Sequence, residues 1–477
     1  MLNQATVAAR LDRLPITRTH RVVLVTLAVV FLFEFGDLNT FAYVAPVLTK
    51  TLGFSVGTIA FVTSAGFLGM FVGAVFGGRF SDAIGRRRAL IVATAVFSVG
   101  SLLNAAGWNE ASFAVIRFIT GVGLSAMTVA ATTYVSETMP AARRGRMQAA
   151  VMAIGLFGIP VISFAARGII PISAESWRFV FVIGALALLA IPGVVRMPES
   201  PRWLLRHERA DAADQALQRF ESGAGQLPPL PQQPSVAPST VTVSLTAVQQ
   251  SGSRYRALFS GLTGRRTLFL SVVWIFQTLG FYGFTSFVPT LLVAHGFSLV
   301  HSIGFSALTT LGAVPGALLA WPISDRFGRK MPLVIVCLAT AASGFLYGLT
   351  FSAVAIVIFG FCVNMLIQTF AALLYTYTPE LFPTEVRNSG TGFTYGIGRL
   401  ANIGGPFIVA ALFGSLGYSS VFMYIALCWL VVAVSIAVFG PRTGKVNLED
   451  LNERREPDER LRQPAGAAVA RSTDATV

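Results

Sequence analysis

One frame of charged, glycine and proline residues is written twice along this chain, 243 residues apart, inside otherwise apolar text. Ser81-Asp82-Ala83-Ile84-Gly85-Arg86-Arg87 returns as Ser324-Asp325-Arg326-Phe327-Gly328-Arg329-Lys330. Tyr134, Glu137, Pro140 and Arg144 return as Tyr377, Glu380, Pro383 and Arg387, so that 55 residues separate Asp82 from Glu137 and the same 55 separate Asp325 from Glu380. Apolar stretches match one another by chance, but charged, Gly and Pro positions held in register do not. The chain therefore reads as a duplicated membrane bundle whose halves share one plan.

Its composition agrees: 54% of the 477 residues are hydrophobic and 12% charged, against about 25% charged in soluble globular proteins. Apolar windows of about 20 residues predict helices near 22–48, 56–80, 89–107, 112–135, 146–168 and 177–196, repeated near 268–293, 301–324, 332–350, 353–377, 388–412 and 419–440. The expected fold is all-α, a polytopic membrane protein with twelve transmembrane helices in two pseudo-symmetric six-helix bundles. The expected organisation is an N-terminal segment 1–21, a bundle 22–196, a linker 197–267, a second bundle 268–440 and a tail 441–477.

A net charge of +14 suggests nucleic acid in a soluble protein, but here its placement matters more than its sum. Of 36 Lys and Arg, only Lys50, Arg167 and Arg178 fall at one set of loops and Arg117 and Arg399 within spans, which leaves 31 on the other side. The positive-inside rule then sets both termini in the cytoplasm of a multi-pass protein of the cytoplasmic membrane. Arg10, Arg13, Arg18 and Arg21 precede a first apolar run that is too long for a cleavable signal, so the first span is expected to stay. Cys337, Cys362 and Cys428 fall in spans without metal-type spacing and read as packing residues. In the linker, residues 207–221 have the pattern of an amphipathic helix on the membrane surface, residues 227–238 read as extended, and the basic stretch 251–266 as skimming headgroups. The expected partners are a small-molecule substrate, protons and the lipid bilayer, with a monomeric chain and no nucleic acid, metal or other cofactor.

Asp82 ends a helix at its negative pole, where an acid needs a specific partner, expected across the bundle. Gly85 permits the tight turn that follows. Glu137 and Arg144, like Glu380 and Arg387, flank a helix-ending Pro at a spacing of seven, and ion pairs there would close a gate. At Asp82 and its turn, a merely solvated turn is the plainer alternative.

At these residues the chain resembles the major facilitator superfamily from Arg21 to Pro441. The run from Gly78 to Arg88 is similar to that superfamily's loop between helices two and three, and Arg117-Phe118-Ile119-Thr120-Gly121-Val122-Gly123 to its fourth-helix pattern. Pro198-Glu199-Ser200-Pro201-Arg202-Trp203-Leu204 resembles the segment after helix six in sugar porters and organic-ion transporters. The run from Tyr377 to Arg387 resembles the organic-ion and aromatic-acid:proton symporter branches. The resemblance implies alternating access about a central cavity. It implies a gating role, as latches of the outward-facing state, for Asp82 with Arg86, Asp325 with Arg329, Glu137 with Arg144 and Glu380 with Arg387.

Four ionisable residues lie deep in spans: Glu34, Asp37, Arg117 and Arg399. A charge at the bilayer centre costs at least about 2.5–3.5 kcal/mol, so each is expected to face a wet cavity or a partner. Arg399 lies twelve residues past Arg387, roughly 18 Å along a helix, near mid-depth. It either receives a substrate anion or balances an acid of the opposite half. Glu34 and Asp37 are spaced i, i+3 and share a helix face; two carboxylates that close resist ionising together, which suits proton uptake and release. A static network of two acids and two arginines is the alternative. Glu34-Phe35-Gly36-Asp37 with Ala45-Pro46 also resembles the first helix of aromatic-acid:proton symporters, with Glu in place of the first Asp.

Gln277, Tyr282, Asn364, Gln368, Tyr375, Tyr395 and Asn402 have the chemistry to line a substrate cavity with Arg399 and Arg117, although each singly is more often packing glue. Gln277, Gly280 and Tyr282 resemble the seventh-helix pattern of sugar porters, with Phe281 where their hydrogen-bonding Asn is expected. Gly73, Gly77, Gly78, Gly121 and Gly123 read as close helix contacts rather than phosphate loops, since no strand precedes them. The sequence thus points to a transporter rather than an enzyme: a proton-coupled symporter of a small organic metabolite, an organic or aromatic acid first. Sugar or polyol symport, drug efflux and a non-transporting receptor are the alternatives. Efflux is disfavoured because Gly155-Leu156-Phe157-Gly158-Ile159-Pro160 lacks the exporters' Gly-Pro…Gly-Gly stretch.

Overall fold

A computed structural model describes residues 2–224, 256, 258–383, 386–441 and 443; the side chains of 321, 324–327 and 388 lie outside the described set. The expected extended linker at 227–238, most of the basic stretch and nearly all of the tail fall outside it. Among the described residues regular structure is entirely helical.

The first half comprises α1 (Gln4–Asp12), α2 (Arg18–Thr51), α3 (Val56–Ile84), α4 (Arg86–Asn104), α5 (Glu110–Thr138), α6 (Ala141–Leu156), α7 (Gly158–Ile169), α8 (Trp177–Ala185) and α9 (Ile191–Arg196), followed by α10 (Pro201–Arg206) and α11 (Ala210–Glu221). The second comprises α12 (Gly261–Thr285), α13 (Val288–Ala294), α14 (Leu299–Thr310), α15 (Ala313–Phe327), α16 (Lys330–Leu349), α17 (Ala353–Glu380), α18 (Arg387–Leu416) and α19 (Tyr418–Phe439). Among the described residues, eleven helical segments are long and apolar enough to cross a membrane. The remaining expected span is α4, 19 residues long, whose first turn carries Arg86, Arg87 and Arg88; it packs along α5 like its neighbours.

Several spans are interrupted where the apolar windows run on without a break. Phe157 separates α6 from α7, a 3₁₀ stretch Leu186–Ala190 joins α8 to α9, and short breaks divide α12 from α13 and α14 from α15. Irregular backbone at membrane depth is tolerated when protein covers it. Side-chain caps fix helix starts: Ser55 accepts from Thr58 N at 3.0 Å, Asn109 from Ser112 N at 2.8 Å and Ser298 from His301 N at 3.2 Å.

Small residues let helix backbones touch. A Cβ on Gly73 would stand 2.3 Å from the Val122 carbonyl oxygen, and one on Gly77 2.8 Å from Ala126 Cα, which locks α3 onto α5. Gly121 meets α3 at Gly66, and Gly123 meets α4 at Phe97. Gly78 differs from the expectation: its nearest neighbour is Val129 Cγ1 at 3.9 Å, an ordinary contact. The second half repeats the ladder, with Gly312 on Phe361 O and Gly316 on Met365 O where the first has Gly69 on Phe118 O and Gly73 on Val122 O.

On the face carrying α1, α10 and α11, the termini face, the duplicated charges form braces within each half. Arg86 binds Asp82 at 2.7 Å and Glu137 at 2.8 Å, and Ser200 Oγ donates to Glu137 at 2.5 Å. Glu199 accepts from Arg87 N at 3.1 Å, capping α4, and Trp203 Nε1 donates to the Asp82 carbonyl at 2.6 Å. Gly85, at φ 98°, makes the turn between α3 and α4; a Cβ there would sit 2.6 Å from Glu199 Oε2. In the second half Arg329 binds Glu380 at 3.0 Å.

These pairs correct the expected ones. Asp82 finds its partner one turn away in Arg86, not across the bundle, and its side chain stays 67% exposed. Glu137 pairs with Arg86 rather than Arg144, and Glu380 with Arg329 rather than Arg387, whose Nε donates to Phe382 O at 3.3 Å. The cause in the first half is the backbone. Met139 and Pro140 leave helical geometry between Glu137 and Arg144, so a seven-residue spacing no longer places both on one face. The side chain of Asp325 lies outside the described residues.

The predicted amphipathic helix is present as α11, but protein rather than lipid covers it. Ala213, Leu217 and Phe220 are fully buried, with Val7 and Leu11 of α1 in the same assembly. Arg10 clasps Glu221 at 2.6 Å and Asp214 at 2.5 Å, and Arg13 reaches Glu221 at 3.1 Å. The hydrogen bonds from Arg10 hold both carboxyls below their ordinary range.

A depressed folded-state pKa stabilises the clasp above the ordinary carboxylate range, near about 4, and that stabilisation is lost as pH falls through the lowered values. Hydrogen-exchange protection over residues 4–12, each rate taken relative to that of an unstructured peptide at the same pH, is therefore expected to fall on acidification below the ordinary range, and Arg10→Ala to produce the same fall at neutral pH. For the ladder, Gly73→Ala and Gly316→Ala are each expected to destabilise by about 1–3 kcal/mol through overpacking. Gly78→Ala is expected to leave the melting midpoint unchanged in the same thermal assay.

Candidate transport site

Asp37 is fully buried on α2 and lies between three helices. Ser101 of α4 hydrogen bonds to its Oδ1, Arg117 of α5 places Nη1 3.6 Å from its Oδ2, and α8 closes over it at Gly184. Any Cβ on Gly184 would stand 2.5 Å from both Asp37 Oδ1 and Ser101 Oγ. Ser101 Oγ also lies 2.9 Å from the Phe181 carbonyl oxygen. A hydroxyl has one hydrogen, so Ser101 donates to Asp37 or to Phe181, or shares its hydrogen between the two.

Glu34, one turn earlier and 5% exposed, points instead to α5, where Thr128 Oγ1 donates to Oε1 at 3.0 Å; its Oε2 is buried and unpartnered. The i, i+3 pair therefore divides between two sets of neighbours, and no hydrogen bond joins the two carboxylates among the described residues. The 60° offset between i and i+3 positions on a helix of 3.6 residues per turn accounts for the split.

Arg117 is neutralised by Asp37 and stacks its guanidinium 5.6 Å from the Phe41 ring centroid. It lines a cavity that reaches Asn39, Thr63, Phe67 and Tyr282. Arg399 differs. Its Nε donates to Tyr395 Oη at 2.9 Å, Nη2 contacts the same oxygen, and Nη1 is buried without a partner. Among the described residues no carboxylate lies within ion-pair distance of it. Glu34 and Tyr282 are within its electrostatic reach. Trp274 packs edge-on against Tyr395 at 5.1 Å and Tyr375 at 5.3 Å, and Phe67 against Tyr282 at 4.8 Å across the seam between the halves.

The remaining candidates separate by what holds them. Asn364 donates to Gly360 O of its own helix at 3.0 Å, and Gln277 to Thr278 Oγ1 at 2.6 Å. Gln368 is buried one turn past Asn364. Asn402 is 2% exposed with neither amide atom bonded. Tyr375, 54% exposed, has its ring against Trp274 and Tyr395. Sequence reasoning missed Ser101, Thr128, Phe67 and Gly184. In apolar helices such residues are ordinary packing material, and only the charged partners marked their neighbourhood.

The halves touch through α3 and α18, α2 and α13, and α7 and α14. On the far side from the termini, Ser163 and Thr310 hydroxyls are 3.0 Å apart, and Arg167 lies against Gly304. The ion pairs among the described residues each stay within one half.

Comparisons with known proteins agree with this architecture. The profile of the family described as "Sugar (and other) transporter" matches residues 55–454. YyaJ of Bacillus subtilis (strain 168), named provisionally as a metabolite transport protein, is 43% identical over 91% of this chain and 95% of its own. The niacin transporter NiaP of Acinetobacter baylyi is 30% identical over 93% of this chain and 99% of its own. A partially occluded inward-open structure of the xylose transporter XylE from E. coli superposes with a TM-score of 0.70 at 17% identity, covering 90% of this chain and 99% of that one. The chain belongs to the sugar (and other) transporter family of the major facilitator superfamily, and it is a multi-pass secondary transporter of a small metabolite, not an enzyme.

Proposed function

We propose that this transporter is a proton-coupled symporter of a small organic acid, an aromatic carboxylate first, and that it works by alternating access with both termini in the cytoplasm. One observation carries the substrate class. Of the two arginines deep in the spans, Arg117 has Asp37 at ion-pair distance, whereas Arg399 has no carboxylate at that distance among the described residues and stands beside Tyr395, Tyr282 and Trp274. A guanidinium in apolar surroundings is costly until an anion meets it, and the aromatic walls suit a flat ring. The 30% identical relative named for niacin, a pyridine carboxylate, supports the same class.

Asp37 is the proposed proton carrier, with Glu34 as the second acid. Ser101 and Arg117 both reach the Asp37 carboxyl, which supports a group held in place through gain and loss of a proton. Proton release would leave an anion beside Arg117, which is placed to stabilise it. The basic bias of the termini face supports its assignment to the cytoplasm. The Ser163–Thr310 contact supports a conformer sealed on the opposite side and entered from the termini face. Asp82, Arg86 and Glu137 in the first half and Arg329 and Glu380 in the second brace each half here and act with Asp325 as gating residues, and Arg144 and Arg387 are partners for the alternate state.

In proteoliposomes, labelled nicotinate or benzoate is expected to accumulate when the pH gradient is directed inward and to stop when a protonophore collapses it; accumulation that ignores the gradient would end the symport reading. Asp37→Asn is expected to abolish gradient-driven accumulation while sparing counterflow, and equal loss of both would assign Asp37 to folding or binding. Arg399→Lys is expected to weaken carboxylate affinity roughly tenfold, since a point charge lacks the planar fork. Unchanged affinity would remove Arg399 from the substrate site.

A further inference from the structure

Asn402 is an uncharged polar side chain buried beside Phe67 of the other half. It is 2% exposed, and neither Nδ2 nor Oδ1 has a hydrogen-bond partner. Leaving buried donors and acceptors unmade costs about 1–3 kcal/mol each, so a folded chain keeps such a residue only where something else meets it. The small cavity it borders is lined by Phe67, Leu279, Tyr282, Phe287 and Pro406, with Tyr282 contributing the one other side chain able to hydrogen bond. A trapped water needs two to four polar partners, which this wall supplies poorly.

Its position supplies the rest of the argument. Asn402 follows Arg399 by three residues on α18, and Tyr282, which lines the cavity at Asn402, is within the electrostatic reach of Arg399. Phe67 and Tyr282 meet edge to face at the same seam. Asn364 offers the same chemistry but is bonded to its own helix, which leaves Asn402 as the asparagine free to act on a ligand.

The geometry points to Asn402 as a specificity-determining residue: it reads a hydrogen-bonding group on the ring of an aromatic monocarboxylate whose carboxylate rests on Arg399, the ring lying against Phe67 and Tyr282. The substrate class is thereby narrowed to aromatic acids bearing a ring hydroxyl or ring nitrogen. An amide both donates and accepts, so it meets either group. This assignment rests on the organic-acid reading above.

Ligand-induced thermal stabilisation of the purified full-length chain, titrated with benzoate, 3-hydroxybenzoate, 4-hydroxybenzoate and nicotinate, tests it. The wild-type protein is expected to bind at least one ring-substituted acid about tenfold or more tighter than benzoate, as sites built to hydrogen bond discriminate strongly against analogues lacking the group. Asn402→Leu, and Asn402→Ala should the first variant fold poorly, are expected to bring that ratio close to one. A purely structural role would lower affinity for all four ligands alike and keep the ratio, which overturns the proposal. Equal wild-type affinity for benzoate and every substituted acid overturns it without any variant. Failure of all four acids to bind overturns the organic-acid reading as well, a result distinct from binding without discrimination.

Discussion

Two opposite charges, Asp37 and Arg117, are buried side by side at membrane depth, and the packing of the first half follows from that need. Neither is tolerable there alone, because an ion withdrawn from water costs several kcal/mol unless a counter-charge meets it. Bringing α5 to α2 at this depth also requires room. Gly66 on α3 leaves space beside the Arg117 side chain, Gly121 sits on the backbone of Gly66, and Gly184 lets α8 close over the carboxylate. The glycine contacts and the charge site are therefore one arrangement.

The duplication shows how a membrane bundle is kept while its chemistry changes. Across 243 residues the scaffold contacts persist. Gly85 and Gly328 both take positive φ, Tyr134 and Tyr377 donate to the carbonyls of Pro198 and Pro441 at 2.6 and 2.8 Å, and Arg86–Glu137 returns as Arg329–Glu380. The charged interior does not persist. Glu34, Asp37 and Arg117 fall on Gln277, Gly280 and Gly360, and the space beside Gly280 is filled by the Trp429 indole, 2.7 Å from where a Cβ would stand. In the other direction Arg399 and Tyr395 fall on Leu156 and Met152. Backbone contacts are repeated because both lobes must pack in lipid. Charges are confined to one copy because each must answer to a particular partner.

This division also explains what could be read from the sequence. The spans were legible because a bilayer demands long apolar windows with all backbone groups bonded internally. Their interruptions were not, since Phe157 and Leu186–Ala190 are as apolar as their surroundings. Buried charges stood out for the same reason the spans did. Their partners did not: Ser101, Thr128 and Gly184 look like packing residues until Asp37 and Glu34 are seen against them. The pairing of Glu137 was misjudged because linear spacing assumes a continuous helix, which Pro140 ends. Asn364 and Asn402 carried identical signals, and the distinction between a bonded amide and an unbonded one belongs to tertiary structure.

On the proposed reading, protons are handled in the first half and anions in the second, so coupling must cross the seam. Glu34 supplies a physical route. It lies on α2 one turn from Asp37, and Arg399 of the other half is within its electrostatic reach. A carboxylate bound at Arg399 and an ionised Glu34 draw on the same guanidinium, so the occupancy of one alters the free energy of the other, and by linkage the effect is reciprocal. A scaffold with charge sites duplicated in both lobes would bind protons and anions independently in each. Placing one acid of the first half within reach of Arg399 in the second makes the two events interdependent while leaving the shared scaffold unchanged.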